Sequence, residues 1–366
     1  MGAGRGIDRL RLLAFELGGV AKPMTHASTA PITETTYARV GLLGNPSDGY
    51  GGKAIAVSLY DFAAHVTIAP AKKIRLQPSA DPTLGFDSIV EAGAICKDAA
   101  SNGGVRLLSA AVSRFRSFAG QVDLLPAHDP KLRFSIEFET TIPLQVGLAG
   151  SSAIVIAALR SLASWFGVEI SRFELAELAL QAELEDLGNA AGPMDRVIQS
   201  YEGLLAMEFC EPRTEQGYLR LDADCLPPLF VAWRPGGGDV SGKPHGDLRT
   251  RWLAGDARVM ETVEELRGVV DRGIACLATR DHDEFRRLVD NNFELRTRIF
   301  DVGARDHEMI ALAREHHAAA KLCGSGGAIL GVPRKANDLE RIGRAFVDRG
   351  FEFLVPRLTP FGGSSS

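Results

Sequence analysis

Apolar and polar residues alternate along several segments of the chain, and such alternation predicts β-strands. The clearest case is residues 132–141, LRFSIEFETT, where every second residue up to Phe138 is apolar. The alternation in residues 64–77 suits a half-exposed strand of a mixed sheet. Strands are predicted at residues 38–44, 53–62, 64–77, 132–141, 203–208, 228–233 and 351–355.

Longer stretches with helical periodicity or a continuous apolar character lie between these strands and predict helices. Gly167 is expected to end one of them, and Ser171 with Glu174 three residues later forms a capping box that begins the next. Because several helices follow residue 256, we expect a helical layer in the C-terminal half. The predicted helices lie at residues 87–100, 105–118, 153–166, 171–187, 195–201, 256–278, 281–292, 306–319 and 338–349.

The composition is typical of an ordinary globular protein. Hydrophobic residues make up 45% of the 366 residues and charged residues 24%, so the chain can fill the cores of two compact subdomains. A net charge of −5 gives no reason to expect a nucleic-acid or membrane partner, and no apolar run is long enough to cross a bilayer. The five cysteines are widely spaced and form no CxxC pair, which favours reduced thiols in the cytoplasm over disulfides or zinc ligands.

A glycine-rich turn connects the strand at residues 132–141 to the helix at residues 153–166. It reads VGLAGSSA over residues 146–153, which we call the phosphate turn. Its two glycines let the backbone come close to a ligand, and the free N–H groups at the helix start attract an anion such as a polyphosphate. Ser151 and Ser152 could cap the helix or reach a Mg²⁺ ion. The turn alone is better explained by an ordinary helix cap and a tight turn, because it lacks the lysine of a P-loop and the GxGxxG pattern.

Two further glycine-rich stretches accompany the phosphate turn, and we call them the first and the third motif. The first, GLLGNPSDGYGG at residues 41–52, separates two predicted strands, and Arg39 lies just before it. The third, KLCGSGGA at residues 321–328, is another glycine turn that leads into an apolar strand. Taken singly, Asp48 can be a turn former and Arg39 a surface cation, so the three stretches carry more weight together than apart.

Three such stretches in this order resemble the GHMP kinases, a family of small-molecule kinases named for galactokinase, homoserine kinase, mevalonate kinase and phosphomevalonate kinase. The resemblance extends over residues 37–356, includes AGPMDRVIQSYEGL and SGKPHGDLRTRWLAGD, and is strongest to the glucuronokinase-like members. Those members share the insertion of Ala149 between Leu148 and Gly150 of the usual GLGSS. The resemblance implies an α+β fold, a two-layer α/β arrangement with a ribosomal-protein-S5-like N-terminal subdomain, a ferredoxin-like C-terminal subdomain and an active site in the cleft between them.

The expected division of the chain follows from this resemblance. The N-terminal subdomain would cover residues 37–205, with the phosphate turn and the catalytic aspartate, and the C-terminal subdomain residues 206–358. Residues 1–36 differ from the rest and are expected to form a disordered extension, with Met24 as an alternative start of the native chain. Residues 359–366 are expected to form a flexible tail because of their glycine and serine content.

The resemblance also implies roles for individual residues. Asp195 would be the catalytic carboxylate that accepts or orients the proton of the acceptor hydroxyl, and Arg39 would assist and keep it charged. Mg²⁺ would lie between Ser152 and Glu183, with Ser151 open as the alternative hydroxyl. ATP phosphates would contact the phosphate turn, whose residues are Val146, Gly147, Leu148, Ala149, Gly150, Ser151, Ser152 and Ala153. The acceptor would contact residues of the first and third motifs, namely Asn45, Asp48, Gly324, Ser325, Gly326 and Gly327.

A basic segment at residues 236–252 stands out in an otherwise acidic chain. After three glycines it carries Lys243, His245, Arg249 and Arg251. These charges could lie solvated in a mobile loop, or they could hold a substrate carboxylate, which a guanidinium group binds through two hydrogen bonds. The glucuronokinase-like members have a similar segment, which favours a uronic acid over a neutral sugar and places Lys243, Arg249 and Arg251 at the acceptor.

The sequence therefore predicts an enzyme that uses ATP and Mg²⁺ to phosphorylate the anomeric hydroxyl of a sugar acid, with glucuronate giving glucuronate 1-phosphate as the leading case. One alternative keeps the kinase and changes the acceptor to galacturonate, a neutral hexose or another small alcohol. The other is a non-catalytic protein of the same fold that senses a sugar or a nucleotide. The expected partners are ATP and a small molecule, and the oligomeric state does not follow from the sequence.

Overall fold

The computed structural model describes residues 30–78, 84–98, 101, 103–121, 133–236 and 242–360. The sequence predicts an extension at residues 1–36, of which residues 1–29 lie outside the described ranges. Residues 32–36 do not belong to an extension, because they form the start of the first strand. Of the tail expected at residues 359–366, residues 359 and 360 are described.

Within the described residues, the first sheet contains seven strands: β1 (Ile32–Leu43), β2 (Lys53–Pro70), β3 (Ile74–Pro78), β4 (Leu84–Phe86), β5 (Phe134–Thr140), β6 (Leu204–Glu208) and β7 (Tyr218–Leu221). Their order is β4-β3-β5-β2-β6-β7, and β1 pairs with β2 outside this path. The long strand β2 pairs with β6 through its first half, with β5 through its second half and with β1 along both. It is therefore the centre of the sheet.

Strand β2 is longer than the sequence pattern predicts. The pattern predicts separate strands at residues 53–62 and 64–77, whereas β2 runs unbroken to Pro70 and a short β3 follows. The register shifts where Tyr37 and Ala38 of β1 face Ala63 and Leu59 of β2. The residues of β2 between Leu59 and Ala63 have no partner on β1, and the two strands pair on both sides of this irregularity.

The helices of the first half pack on this sheet and on one another. They are α1 (Ile89–Ala94), α2 (Gly103–Gln121), α3 (Gly150–Phe166), α4 (Arg172–Gln181) and α5 (Met194–Tyr201). Helix α3 begins three residues earlier than predicted and ends, as predicted, at Gly167, whose φ of 64° is left-handed. Helix α4 begins with the predicted capping box of Ser171 and Glu174 and continues into a π-helical turn, Ala182–Asp186.

A second, antiparallel sheet contains β8 (Phe230–Trp233), β9 (Ala319–Leu322), β10 (Ala328–Val332) and β11 (Glu352–Leu354) in the order β11-β8-β10-β9. The helices of this half are α6 (Gly242–Leu253), α7 (Ala257–Thr279), α8 (His282–Thr297), α9 (Ala304–Glu315) and α10 (Leu339–Asp348). The helix predicted at residues 306–319 ends at Glu315, because residues 319–322 pair with β10 as a strand. Residues 242–252 of the basic segment lie in helix α6 and not in a loop.

The two halves share a hydrophobic core cluster, which contains Leu43 of β1 and Val270 of α7. A buried hydrogen bond of 2.6 Å from the Gly44 N–H to Asn292 Oδ1 ties the first motif to α8. The first motif is therefore held against the helices of the second half. Strand β7 belongs to the first sheet although it lies beyond the division expected near residue 205.

Among the helices that the structure describes, none combines the length and the apolar character needed to span a lipid bilayer. All five cysteines fall within the described residues and are free thiols.

Candidate active site

A cavity of about 460 Å³ lies where the three glycine-rich stretches meet. The first motif lines it with Asn45 and Asp48, the phosphate turn with Gly147 and Ser151, and the third motif with Gly324. Charged residues from other elements also line it, namely Arg39, Glu183, Asp195, Arg196, Arg249 and Arg296. Residues that are far apart in the sequence thus share one cavity.

Arg39, two residues before the first motif, connects the phosphate turn and the third motif to Asp195. Its side chain is 3% exposed, its Nε donates to Asp195 Oδ1 at 2.7 Å, and its Nη1 donates to the Gly147 carbonyl oxygen at 2.6 Å. The same Nη1 lies 3.5 Å from the carbonyl oxygen of Cys323 in the third motif. A guanidinium group carries five N–H donors in a fixed plane, so it can hold these groups in a defined arrangement. Arg39 is adjacent to Asp195, so its positive charge compensates the charge of that carboxylate.

The third motif packs directly against the phosphate turn. A Cβ atom on Gly324 would lie 2.4 Å from the Gly147 carbonyl oxygen and 2.6 Å from Nη2 of Arg39. A Cβ atom on Gly147 would lie 2.7 Å from the Gly326 carbonyl oxygen, and Gly147 has a φ of 74°. Both positions require glycine, because a side chain at either one would push the two turns apart.

From Gln145, just before the phosphate turn, to Ala149 the backbone alternates in the sign of φ, as an anion-binding nest does. Gln145, Gly147 and Ala149 have φ values of 56°, 74° and 64°, whereas the residues between them are not left-handed. Such alternation turns successive N–H groups toward one side, where an anion can bind. Helix α3 begins immediately afterwards, and the positive end of its dipole adds to the attraction for phosphate.

The two serines of the phosphate turn have different surroundings. Ser152 is buried, and its hydroxyl lies 2.7 Å from Gln199 Oε1 and 3.2 Å from the Ala149 carbonyl oxygen, to either of which it can donate. Ser151 is exposed and lines the cavity. The sequence favours Ser152 as the Mg²⁺ ligand, but the structure engages its hydroxyl within the protein and places Ser151 at the cavity.

Glu183, in the π-helical turn after α4, lines the cavity as a buried carboxylate and forms an ion pair with Arg196. Arg196 Nη1 also donates to the Gly192 carbonyl oxygen at 2.8 Å and lies 3.6 Å from Asp195 Oδ2. Burial alone would lower the pKa of Arg196, but the charges of Glu183 and Asp195 outweigh it and raise that pKa. Arg196 therefore stays a cation between the two carboxylates.

Asn45 of the first motif lines the cavity and is held by a buried lysine. Lys321 Nζ donates to Asn45 Oδ1 at 2.6 Å and to the Gly41 carbonyl oxygen at 2.8 Å, while Asn292 Nδ2 donates to the Asn45 carbonyl oxygen at 3.1 Å. Burial lowers the pKa of Lys321 to about 7. Because an ammonium group can only donate, it fixes the amide of Asn45 with the oxygen toward Lys321.

Asp48 lies close to the start of α5. Its Oδ2 accepts the Met194 N–H at 3.3 Å. Burial and the charge of Asp195 raise the pKa of Asp48 to about 6, while the Met194 N–H and the charge of Arg196 act in the opposite direction. Asp48 therefore changes its charge at mildly acidic pH, well above the usual range of an aspartate.

The structure places Arg249 of the basic segment at the cavity. Arg251, two residues later, instead pairs through Nε with Asp256 at 2.8 Å and donates through Nη1 to the Ile299 carbonyl oxygen at 3.3 Å. The backbone of Lys243 lies in α6, but its side chain is outside the part of the chain that the structure describes. The structure thus separates Arg249 from Arg251.

Arg296 of α8 is a buried cation that lines the same cavity. Its Nη1 and Nη2 donate to the carbonyl oxygens of Gly324 and Ser325 at 2.9 and 3.2 Å. Burial lowers the pKa of Arg296 to about 10, so the guanidinium group stays protonated at neutral pH. Arg296 supports the third motif and brings positive charge to the site.

Sequence reasoning missed Arg196 and Gln199, which lie three residues apart on α5. Gln199 Nε2 donates to the carbonyl oxygens of Tyr37 and Ala149, both at 3.0 Å, and so ties α5 to β1 and to the phosphate turn. The signal available for both was a polar pair at helical spacing on a short helix. Such a pair is just as typical of a solvated face, so the sequence could not show that both side chains are buried.

These features define a class of protein: small-molecule kinases of α+β architecture in which an anion-binding turn and an Arg–Asp pair face one cavity. Models of the GHMP kinases N terminal domain and the GHMP kinases C terminal domain match residues 106–203 and 274–352. Glucuronokinase 1 of Arabidopsis thaliana is 36% identical over 313 residues, which cover 83% of this chain and 85% of that protein. Probable glucuronokinase 2 of the same plant is 37% identical over 306 residues, which cover 81% and 82%. The chain belongs to the GHMP kinase family, as its motifs predict.

A solved structure confirms the predicted fold class. The phosphomevalonate kinase of Streptococcus pneumoniae, solved in complex with phosphomevalonate and AMPPNP, superposes with a TM-score of 0.72. The match covers 90% of this chain and 100% of that chain at 13% sequence identity. At this identity the likeness concerns the fold alone.

Proposed function

We propose that this protein is an ATP-dependent kinase that transfers the γ-phosphate to the anomeric hydroxyl of a sugar acid, with D-glucuronate as the acceptor. The observation that carries the proposal is the Arg39–Asp195 hydrogen bond at the junction of the three glycine-rich stretches. Two relatives named as glucuronokinases, each similar over more than four fifths of this chain, support the acceptor class.

Asp195 acts on the acceptor hydroxyl in this proposal. Its carboxylate accepts or orients the hydroxyl proton while the oxygen attacks the γ-phosphorus. Base catalysis contributes about 10²- to 10⁴-fold, and positioning and charge neutralisation supply most of the remaining acceleration. Arg39 compensates the charge of Asp195, and through its bond to the Gly147 carbonyl oxygen it holds the acceptor side and the phosphate side at a fixed separation.

The phosphate turn binds the ATP phosphates through the backbone N–H groups of residues 146–153. The oxygen donors at the cavity fit Mg²⁺, since Glu183 offers a carboxylate, Ser151 offers a hydroxyl, and Mg²⁺ takes one or two protein carboxylates with phosphate oxygens and waters. When bound, the ion neutralises charge on the phosphates. We assign the hydroxyl ligand to Ser151 in preference to Ser152, which is engaged with Gln199.

The acceptor lies between the first and third motifs. Asn45 and Asp48, which line the cavity, would contact sugar hydroxyls, and Gly324 would let the ligand approach the backbone closely. Arg249 and Arg296 supply positive charge for the substrate carboxylate. A contact of Lys243 with the acceptor stays a prediction from the sequence, because its side chain lies outside the described residues.

The proposal is tested by measuring ADP release from Mg-ATP with a panel of glucuronate, galacturonate, galactose and mevalonate. We expect turnover with glucuronate alone. Turnover with a neutral acceptor would keep the kinase activity and reject the carboxylate assignment. Absence of turnover with every acceptor, in a protein that still binds ATP, would favour a non-catalytic sensor of a sugar or nucleotide.

A further inference from the structure

Arg196 joins the carboxylate proposed to bind Mg²⁺ to the carboxylate proposed to act on the acceptor. Its Nη2 pairs with Glu183, and its Nη1 lies 3.6 Å from Asp195 Oδ2. A third contact, 2.8 Å to the Gly192 carbonyl oxygen, holds the guanidinium group in place. One cation therefore contacts both functional carboxylates, and the proposed function assigns no role to it.

Both members of the Glu183–Arg196 pair are almost fully buried, with side chains 4% and 6% exposed. Taking two charges out of water is costly, and a well-packed apolar pair of similar volume is often at least as stable. Stability alone therefore gives little reason for an ion pair at this position. The pair should weaken the binding of a divalent cation at Glu183. The charge of that carboxylate is already compensated, and the guanidinium group would repel the metal ion.

We propose that Arg196 is the resident countercharge of the Mg²⁺ site, so that free Mg²⁺ binds weakly and the ion enters together with ATP. This inference rests on the proposed function, because it takes Glu183 as a metal ligand. The phosphates of ATP bring the negative charge that a second cation needs, so the site accepts the metal–nucleotide complex in preference to the metal alone. Arg196 is a positioning residue in this scheme, since it acts through Glu183 and Asp195.

Arg196→Gln tests the inference, because glutamine keeps an N–H donor for Glu183 and removes the charge. Binding of Mn²⁺ without nucleotide is measured by titration calorimetry on the folded wild type and variant. We expect the variant to bind Mn²⁺ at least about tenfold more tightly, since removing a unit charge a few ångströms away exceeds this factor even at an effective dielectric constant of about 20. Arg196→Lys restores the charge and is expected to restore weak binding.

The double variant Arg196→Gln with Glu183→Gln is the matched control and should show no gain in Mn²⁺ affinity. Structural damage would weaken metal binding, so a gain in affinity separates the countercharge role from a merely structural one. Wild-type protein supplies a measurement that needs no variant: Mn²⁺ should bind far more tightly with saturating ADP than without it, and equal affinities would overturn the inference.

Two outcomes separate this inference from the proposed function. If Arg196→Gln binds free Mn²⁺ no better than wild type while Glu183→Gln raises the KM for Mg-ATP, the countercharge role is wrong and the proposed function stands. If Glu183→Gln leaves the dependence on Mg-ATP unchanged, the metal assignment fails and the inference fails with it.

Discussion

Arg39 Nε lies 2.7 Å from Asp195 Oδ1, although 156 residues separate the two in the chain. The pair joins β1 to α5, and the second bond of Arg39, to the Gly147 carbonyl oxygen, includes the phosphate turn. Phosphoryl transfer depends on placing the acceptor and the donor at a fixed distance with compensating charge nearby. A buried guanidinium group can meet both requirements, because its N–H donors are rigidly spaced and permanently charged.

Asp195→Asn removes the carboxylate and keeps the size and a hydrogen-bond acceptor for Arg39. We expect kcat to fall by about 10²- to 10⁴-fold, the usual contribution of base catalysis, with little change in the dissociation constant of ATP. Steady-state kinetics measures the fall in kcat, and an ATP titration measures the dissociation constant of ATP. Asp283→Asn, at a side chain that is 79% exposed, is the matched control and should keep full turnover. Wild-type-like turnover in Asp195→Asn would refute the assignment.

Gly324→Ala places a Cβ atom against the Gly147 carbonyl oxygen and the Arg39 guanidinium group. We expect kcat/KM to fall by about 10²-fold, because small displacements of positioned groups are costly, and stability to fall by about 1–3 kcal/mol. The control is Gly268→Ala in α7, where no heavy atom lies within 4 Å of the added Cβ and where alanine favours the helix. The kcat/KM and the urea unfolding curve of both variants are measured. Equal kcat/KM values in Gly324→Ala and Gly268→Ala would show that the close contact is dispensable.

Ser151→Ala and Ser152→Ala separate the two candidate metal ligands. Ser151→Ala should raise the Mg²⁺ concentration needed for half-maximal turnover, because this hydroxyl lies at the cavity. Ser152→Ala should instead lower stability by about 1–3 kcal/mol, because Gln199 loses a buried partner. A Mg²⁺ titration of turnover and a thermal unfolding curve are measured for each. The reverse pattern would return the metal role to Ser152.

Charge reversal distinguishes Arg249 from Arg251. Arg249→Glu should raise the KM for glucuronate by at least about tenfold, since it places a negative charge beside a substrate carboxylate. Arg251→Glu breaks the ion pair with Asp256, which is about 30% exposed, so its main effect should be a small loss of stability with an unchanged KM. The two KM values and two unfolding curves are compared. An unchanged KM in Arg249→Glu would indicate that the acceptor carboxylate lies elsewhere.

The pKa of Asp48, raised to about 6 by burial and by Asp195, predicts a stability that depends on pH. A pKa that is higher in the folded than in the unfolded state contributes stability that is complete below about pH 4 and is lost as the pH rises through about 6. Asp48→Asn should therefore be more stable than wild type at about pH 8, by on the order of 1–3 kcal/mol, and gain nothing at about pH 4. Urea midpoints at both pH values are the measurement, and a gain independent of pH would contradict the raised pKa.

The sequence by itself determined the features that depend on near neighbours. Gly167 ends α3, and Ser171 with Glu174 begins α4, because a cap involves residues within one helical turn. The three glycine-rich stretches, and with them the family, were also readable, since glycine spacing is a property of the chain. The motif was enough to predict Asp195 as the catalytic carboxylate, but the sequence could not show that Arg39 lies beside it.

Only the tertiary structure decided which polar side chains meet. Ser151 and Ser152 differ by one residue, yet a helix turns by about 100° per residue, so one faces the cavity and the other the protein interior. Arg39 meets Asp195, and Arg296 meets Gly324 and Ser325, through packing that no local pattern encodes. Ion pairs and burial depend on contacts between segments far apart in the chain, and a single sequence without its fold carries no record of those distances.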